Sequence, residues 1–147
     1  MSTLRLEILT IERKLYDDYV NMVIAPGSEG VLGILPHHTP LLTALTFGEL
    51  QIKKEGEEDL FFAISGGFME VLPDRVIVMA DAAERAAEID LERAEAARQR
   101  AETLLSRAKA GETVDFDKIE EMLQRSAIRI KVAERRRKRD KKPPAGQ

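Results

Sequence analysis

The stretch VIVMADAAERAAEIDLERAEAA, residues 76–97, is where the chain changes its periodicity. Up to Asp81 the apolar residues come in short runs closed by turn residues, the pattern of strands. Beyond it Leu91, Ala94, Ala97, Ala101, Leu104 and Ala108 recur every three or four positions, which places them on one stripe of a helix. Two bodies of different construction therefore meet within this stretch.

Working back from it, apolar runs lie at 31–35, 41–47, 50–53, 60–64, 68–72 and 75–80. Glu55-Gly56-Glu57, Ser65-Gly66-Gly67 and Leu72-Pro73-Asp74-Arg75 read as the turns between some of them. At the N-terminus Leu4, Leu6 and Ile8 alternate with charged residues, and Val20, Met22 and Ile24 repeat that period until Pro26-Gly27 breaks it. The core is expected to draw on Leu6, Ile24, Leu45, Phe62, Phe68 and Ile77. Many short strands with close turns and no helix between them indicate a small sandwich or flattened barrel, taken here as an antiparallel β-sandwich over residues 1–85.

Working forward, Asp90 is placed to cap the first helix and Gly111 to end it in a left-handed conformation. A second helix is expected from Asp117, with Glu120 completing a capping pattern and Ile119, Met122 or Leu123, Ala127 and Ile130 on its inner face. The short loop folds the two back as an antiparallel hairpin over residues 86–134. Its alanine-rich face buries little apolar area, so the hairpin is expected to be weakly held. Residues 135–147 read as a basic flexible tail. The fold class is α+β.

Composition narrows the function. Of 23 Lys and Arg only 6 fall in residues 1–82, against 13 of the 26 Asp and Glu, so an acidic front half precedes a basic back half. With no Cys, the chain has no thiol nucleophile and no Cys-based zinc site. The N-terminus lacks the pattern of a secretory signal, and no apolar run approaches the ~20 residues of a membrane span.

Four motifs invite a sharper reading. His37 and His38 are adjacent, so on an extended strand they point to opposite sides, and Pro36 and Pro40 set them in a stiff loop. They read as loop or interface residues rather than metal ligands. Ser65-Gly66-Gly67 lacks the first glycine of a nucleophile elbow, because Ala63 stands there. Gly27-Ser28-Glu29-Gly30 resembles the nucleic-acid clamp of KH domains in spacing only, since it joins strands and carries Glu29. The run RRRKRDKK, Arg135 to Lys142, has no interleaved aromatics, which favours an acidic protein surface over nucleic acid.

Order and spacing of the motifs carry more than any one of them. Gly33-Ile34-Leu35-Pro36-x-His38-x-Pro40-Leu41, then Ser65-Gly66-Gly67-Phe68-x-Glu70-Val71, then Ile89-Asp90-Leu91-Glu92-Arg93-Ala94 opening an alanine-rich hairpin, resembles the epsilon subunit of the F-type ATP synthase of bacteria. The resemblance runs from about Leu4 to Glu134. His37 stands where that family usually has Gly, and Val31 where it often has Glu.

The resemblance implies a non-enzymatic rotor subunit of a proton-translocating synthase, peripheral on the cytoplasmic face of the cell membrane. Its sandwich would couple the gamma subunit to the c-ring, with Glu29, Val31 and His38 at that interface. Its hairpin would lie folded or reach up to the alpha and beta subunits and inhibit ATP hydrolysis, with Arg135, Arg136, Arg137, Lys138 and Arg139 making the inhibitory contact. No cofactor would be required. In some members ATP is a regulatory ligand of the folded hairpin, and Glu84, Ile89, Asp90, Arg93, Ala94, Arg125 and Arg129 match the positions that bind it. The competing reading is a stand-alone ligand-binding β-sandwich with a helical interaction arm. It needs aromatic platforms, which five Phe, two Tyr and no Trp supply poorly.

Overall fold

In a computed structural model the described residues are 2–140, the side chains of 136–140 excepted. The chain divides between Arg85 and Ala86 into two compact units.

The first unit is a sandwich folded from one continuous sheet. Its strands are β1 (Leu4–Leu9), β2 (Lys14–Val20), β3 (Met22–Gly27), β4 (Gly30–Ile34), β5 (Leu41–Lys53), β6 (Leu60–Val71), β7 (Arg75–Ala80) and β8 (Ala83–Arg85). They run in the order β2-β1-β7-β6-β5-β3-β4, with β8 also on β6. All pairings are antiparallel except β1 with β7, which is parallel. Leu4, Leu6 and Ile8 are buried as their alternation requires, and they meet Leu50, Ile52, Phe62, Met69 and Val76 in one aliphatic core.

Two sequence expectations about β6 change here. Ser65-Gly66-Gly67 is not a turn: it lies inside a single twelve-residue strand. Gly66 and Gly67 have φ of 84° and 127°, a conformation that L side chains rarely adopt. They mark the point at which one edge of β6 changes partner, while the pairing with β5 keeps its register throughout. Before that point Phe62–Ile64 pair with β8, and after it Gly67–Val71 pair with β7. The Asp81 amide donates to the Gly66 carbonyl at 3.0 Å and the Ser65 amide to the Ala82 carbonyl at 2.9 Å, closing the corner. The runs 41–47 and 50–53 likewise fuse into one strand, β5.

The inward-facing positions change parity here, on β5 as on β6, although the register between the two strands is unbroken. Phe62 and Ile64 face inward before the glycine pair, and Met69 and Val71 after it, so Phe68 is turned outward and is 55% exposed rather than buried. Ile24 is displaced in the same way. Asn21 sits between β2 and β3, its amide bonded to the Lys53 carbonyl at 2.9 Å, and the inward residues of β3 become Val23 and Ala25. On β7 the buried residues are Val76, Val78 and Ala80, leaving Ile77 half-buried on the opposite face.

Outside β1 and β2 an ion network crosses the pair. Arg5 donates to both carboxylate oxygens of Asp17 at 2.9 Å, and Lys14 reaches Glu7 at 3.3 Å and Asp17 at 3.1 Å. The bond from Arg5, then that from Lys14, holds the Asp17 carboxyl well below its ordinary value of 3.8. A depressed folded-state pKa gives stability that is present above the unfolded value and lost as pH falls through the folded one. Melting temperature is therefore expected to fall as pH drops below about 4, and Asp17→Asn to remove part of that slope. The effect is modest, because the network is exposed and salt weakens it. Identical acid slopes in the two proteins would refute it.

The second unit opens with a 3-10 turn, Ala86–Glu88, followed by α1 (Leu91–Lys109) and α2 (Phe116–Asp140). Asp90 caps α1 as expected, its carboxylate accepting from the Arg93 amide at 3.1 Å. Gly111 has φ of 97°; its amide donates to Ala108 and that of Glu112 to Arg107, both at 3.1 Å, which satisfies the last carbonyls of α1.

The second helix starts one residue earlier than its sequence suggests. Asp115 is the cap, accepting from the Lys118 amide at 3.2 Å, and Asp117 lies in the first turn, where its charge complements the helix dipole. Ser126 rather than Ala127 turns inward, 2% exposed, and its hydroxyl bonds back to the Leu123 carbonyl at 3.1 Å. The helix continues to Asp140, so Arg135 to Arg139, which the sequence pattern assigns to a flexible tail, lie in its last turns. Arg and Lys are good helix formers and sustain those turns. The side chains of Arg136, Arg137, Lys138 and Arg139 lie outside the described residues.

Candidate functional site

The outward side chains of the sandwich form a face that spans four strands. Phe68 stands opposite Met79 across β6 and β7, and Leu42 lies diagonal to Phe68 on β5, where Ala44 pairs with Phe68 and Leu42 with Glu70. The parallel pairing of β1 adds Leu9 opposite Met79. Leu42 is 65% exposed, Phe68 55% and Met79 45%. Contiguous exposed apolar side chains of this size mark an interaction surface rather than a stray hydrophobe. The charged network of Arg5, Glu7, Lys14 and Asp17 borders it, the apolar centre and polar rim of a protein interface. The sequence pattern missed this face because it placed Phe68 and Ile77 in the core. The signal that could have found it was the glycine pair inside a long apolar run, which in a strand marks a bend or a close backbone approach.

A second exposed place lies at the tip of the β3–β4 hairpin. Gly27 pairs with Gly30, leaving Ser28-Glu29 as a two-residue turn. Glu29 is exposed, and Val31, the second residue of β4, is 74% exposed. His38 is separate from that tip in the chain, in the loop that follows the other end of β4. Its Nδ1–H donates to the Thr39 carbonyl at 2.6 Å. His37 has φ of 67° and its amide donates to the Pro73 carbonyl at 2.8 Å, which ties the loop to the β6–β7 turn. That left-handed backbone favours glycine, a physical reason why a Gly suits this position better than the His found here. Among the described residues no three His, Cys, Asp or Glu side chains gather as a metal site needs.

The residues matched to a nucleotide site divide between the units. Glu84 belongs to β8 of the sandwich, opposite Ala63. In the second unit Ile89 is half-buried, Asp90 is engaged as the α1 cap, and Ala94 is fully buried. Arg93 and Arg125 are exposed; Arg125 lies 3.8 Å from Glu121 one turn back on α2. Arg129 lies one turn further along the same helix and is half-buried. Two cations four residues apart share one helical face, where an anion could meet both. Arg135 is exposed near the end of α2. No helix among the described residues is long and apolar enough to cross a membrane.

The first unit is thus a sandwich with an open apolar face, and the second a charged helical hairpin. Residues 3–86 match the family model of the ATP synthase delta/epsilon chain beta-sandwich domain, and residues 87–134 match that of its long alpha-helix domain. Proteins named ATP synthase epsilon chain are similar throughout. That of Dehalococcoides mccartyi is 49% identical over 138 residues, covering 94% of this chain and 97% of the relative. That of Herpetosiphon aurantiacus is 50% identical over 136 residues, covering 92% and 98%. The chain belongs to the family of ATP synthase epsilon chains. In fold it is similar to a chain of the Euglena gracilis mitochondrial ATP synthase, described as OSCP/F1/c-ring, with a TM-score of 0.69 at 24% identity, covering 90% of this chain and 81% of that one.

Proposed function

We propose that this chain is a non-catalytic central-stalk subunit that couples gamma to the c-ring and restrains ATP hydrolysis through its helices. The observation that carries the anchoring part is the apolar outer face of Leu42, Phe68 and Met79 on a chain of this family. That face is the surface for gamma, and the exposed tip of Glu29 and Val31, with His38, meets the ring. The chain is thereby held at the cytoplasmic face of a proton-translocating membrane, peripherally and through its complex.

The test is reconstitution with gamma. Phe68→Thr keeps β propensity and removes an exposed ring, so binding is expected to weaken by about tenfold, corresponding to ~1.4 kcal/mol, while melting temperature changes little. Unchanged binding would remove this face from the interface.

The hairpin supplies the regulatory part. On α1 the buried residues are Ala94 and Ala101, which bury less than the ~1.5–3 kcal/mol of a Leu or Ile each, so the larger buried side chains, Ile119, Ile130 and Val132, all come from α2. A unit so lightly packed is suited to exchange between a folded arrangement and one extended toward alpha and beta. ATP, as a regulatory ligand, would favour the folded one through Arg93, Arg125 and Arg129, with Ile89, Asp90 and Ala94 shaping the site. Ligand that binds only the folded state raises the melting temperature by mass action. ATP at millimolar concentration is expected to produce that rise and Arg93→Ala to abolish it; a flat calorimetric trace with the parent chain would eliminate the nucleotide site and leave the anchoring role intact.

A further inference from the structure

The last strand of the sandwich is only three residues long. It is joined to β6 by pairing of Phe62 with Arg85, Ala63 with Glu84 and Ile64 with Ala83. A ladder of that length is a weak attachment, well under the usual strand of about five or six residues. The side chain of Arg85 supplies what the ladder lacks. Its guanidinium carbon lies 5.6 Å from the centroid of the Tyr16 ring and 5.6 Å from that of Phe62. The two rings meet edge to face, 5.9 Å apart at 78°. One guanidinium nitrogen also donates to the Leu15 carbonyl at 3.0 Å. Tyr16 and Phe62 are core residues, 7% and 1% exposed, so the cation is seated on a fixed platform. The next residue, Ala86, begins the second unit.

We propose that Arg85 is a latch that sets where the sandwich ends and the tether to the hairpin begins. Seated on Tyr16 and Phe62, it keeps β8 on β6. When it lifts, residues 83–85 unpair and add about 10 Å of reach to the tether. A part-buried cation over two ring faces, with a charge-assisted hydrogen bond, is a local contact whose loss opens one strand and leaves the core intact. The regulatory side of this proposal rests on the reading of the hairpin as a mobile inhibitor: a longer tether favours the extended arrangement and deepens inhibition.

Hydrogen exchange on the full chain tests the latch directly. Arg85→Ala is expected to speed exchange of the amides at 83–85 at least tenfold while β1 and β7 keep their protection. Arg85→Lys is expected to fall between, since it keeps the charge and loses the planar fork. Tyr16→Phe keeps the ring, and the Tyr16 hydroxyl has no hydrogen-bond partner among the described residues, so exchange at 83–85 stays at the parental rate. Phe62→Leu, which keeps an apolar core and removes one ring face, provides a second route to the same opening. Parental exchange at 83–85 in both Arg85→Ala and Phe62→Leu would overturn the latch.

In the assembled synthase Arg85→Ala is expected to lower ATP hydrolysis severalfold, and to have no effect once the chain is cut before Ile89. Faster exchange with unchanged hydrolysis, in a complex that the cut still activates, would overturn the latch's regulatory role. A cut that changes nothing would instead place the failure in the inhibitory reading of the hairpin.

Discussion

Removal of the chain from Ile89 onward is expected to raise ATP hydrolysis by the assembled complex several- to tenfold. On the proposed function the deleted residues carry the whole inhibitory contact, and α2 delivers its charge at one end. Arg125, Arg129, Lys131 and Arg135 precede Arg136, Arg137, Lys138 and Arg139 along one helix. A cationic helix end is drawn to an acidic surface over about 8–10 Å at physiological salt. Each exposed pair is worth only about 0–1 kcal/mol, yet two or three together reach the ~1.4 kcal/mol that separates populations tenfold. Replacing Arg135 to Arg139 by Ala is expected to relieve part of the inhibition, and added salt to reproduce that relief in the parent. A tail that only aids solubility predicts equal hydrolysis in the Ala variant at every salt concentration. Hydrolysis unchanged by the truncation would mean that the hairpin is no inhibitor.

Gly67→Ala is expected to be the most damaging single substitution in the sandwich. The backbone there has φ of 127°, and a Cβ would collide with the Met79 carbonyl oxygen and stand 2.8 Å from the Ala80 Cα. Both obstacles are backbone of the neighbouring strand, so neither moves without breaking the β6–β7 ladder. Strain and clash together cost about 3 kcal/mol or more, roughly 10–20 °C of melting temperature for a domain of this size. Gly56 is the matched control: its φ is also positive, at 78°, but apart from its chain neighbours nothing among the described residues lies within 4 Å of a Cβ there. Gly56→Ala is expected to cost about 1 kcal/mol. Equal losses at the two positions would show that the close approach at Gly67 contributes nothing.

The change of period near Asp81, the α1 cap at Asp90 and the left-handed stop at Gly111 were all legible in the sequence. Each is a local property, decided by neighbours within a few residues, and no tertiary contact reverses it. The resemblance to epsilon subunits was legible for the same reason, since its motifs are short and ordered. The second cap was misplaced: the sequence pattern put it at Asp117, and the bond from the Lys118 amide puts it at Asp115.

The phase of the strands was not legible. Alternation reports that a strand has two faces without naming the inner one, and one extra residue exchanges them. At Gly66-Gly67 the backbone takes positive φ where Asp81 and Met79 come close, and these lie well beyond the local run and arrive through β7 and the corner after it. The parity change there put Phe68, an expected core residue, at the centre of the exposed face, and the break at Asn21 between β2 and β3 turned Ile24 out of the core. Local pattern was enough for the change of period and for both ends of the first helix, because neighbours along the chain settle each of these, whereas the second helix has another cap and runs on to Asp140. Which side chains of the first unit became core and which became surface was settled by long-range strand pairing, which no window of the sequence contains.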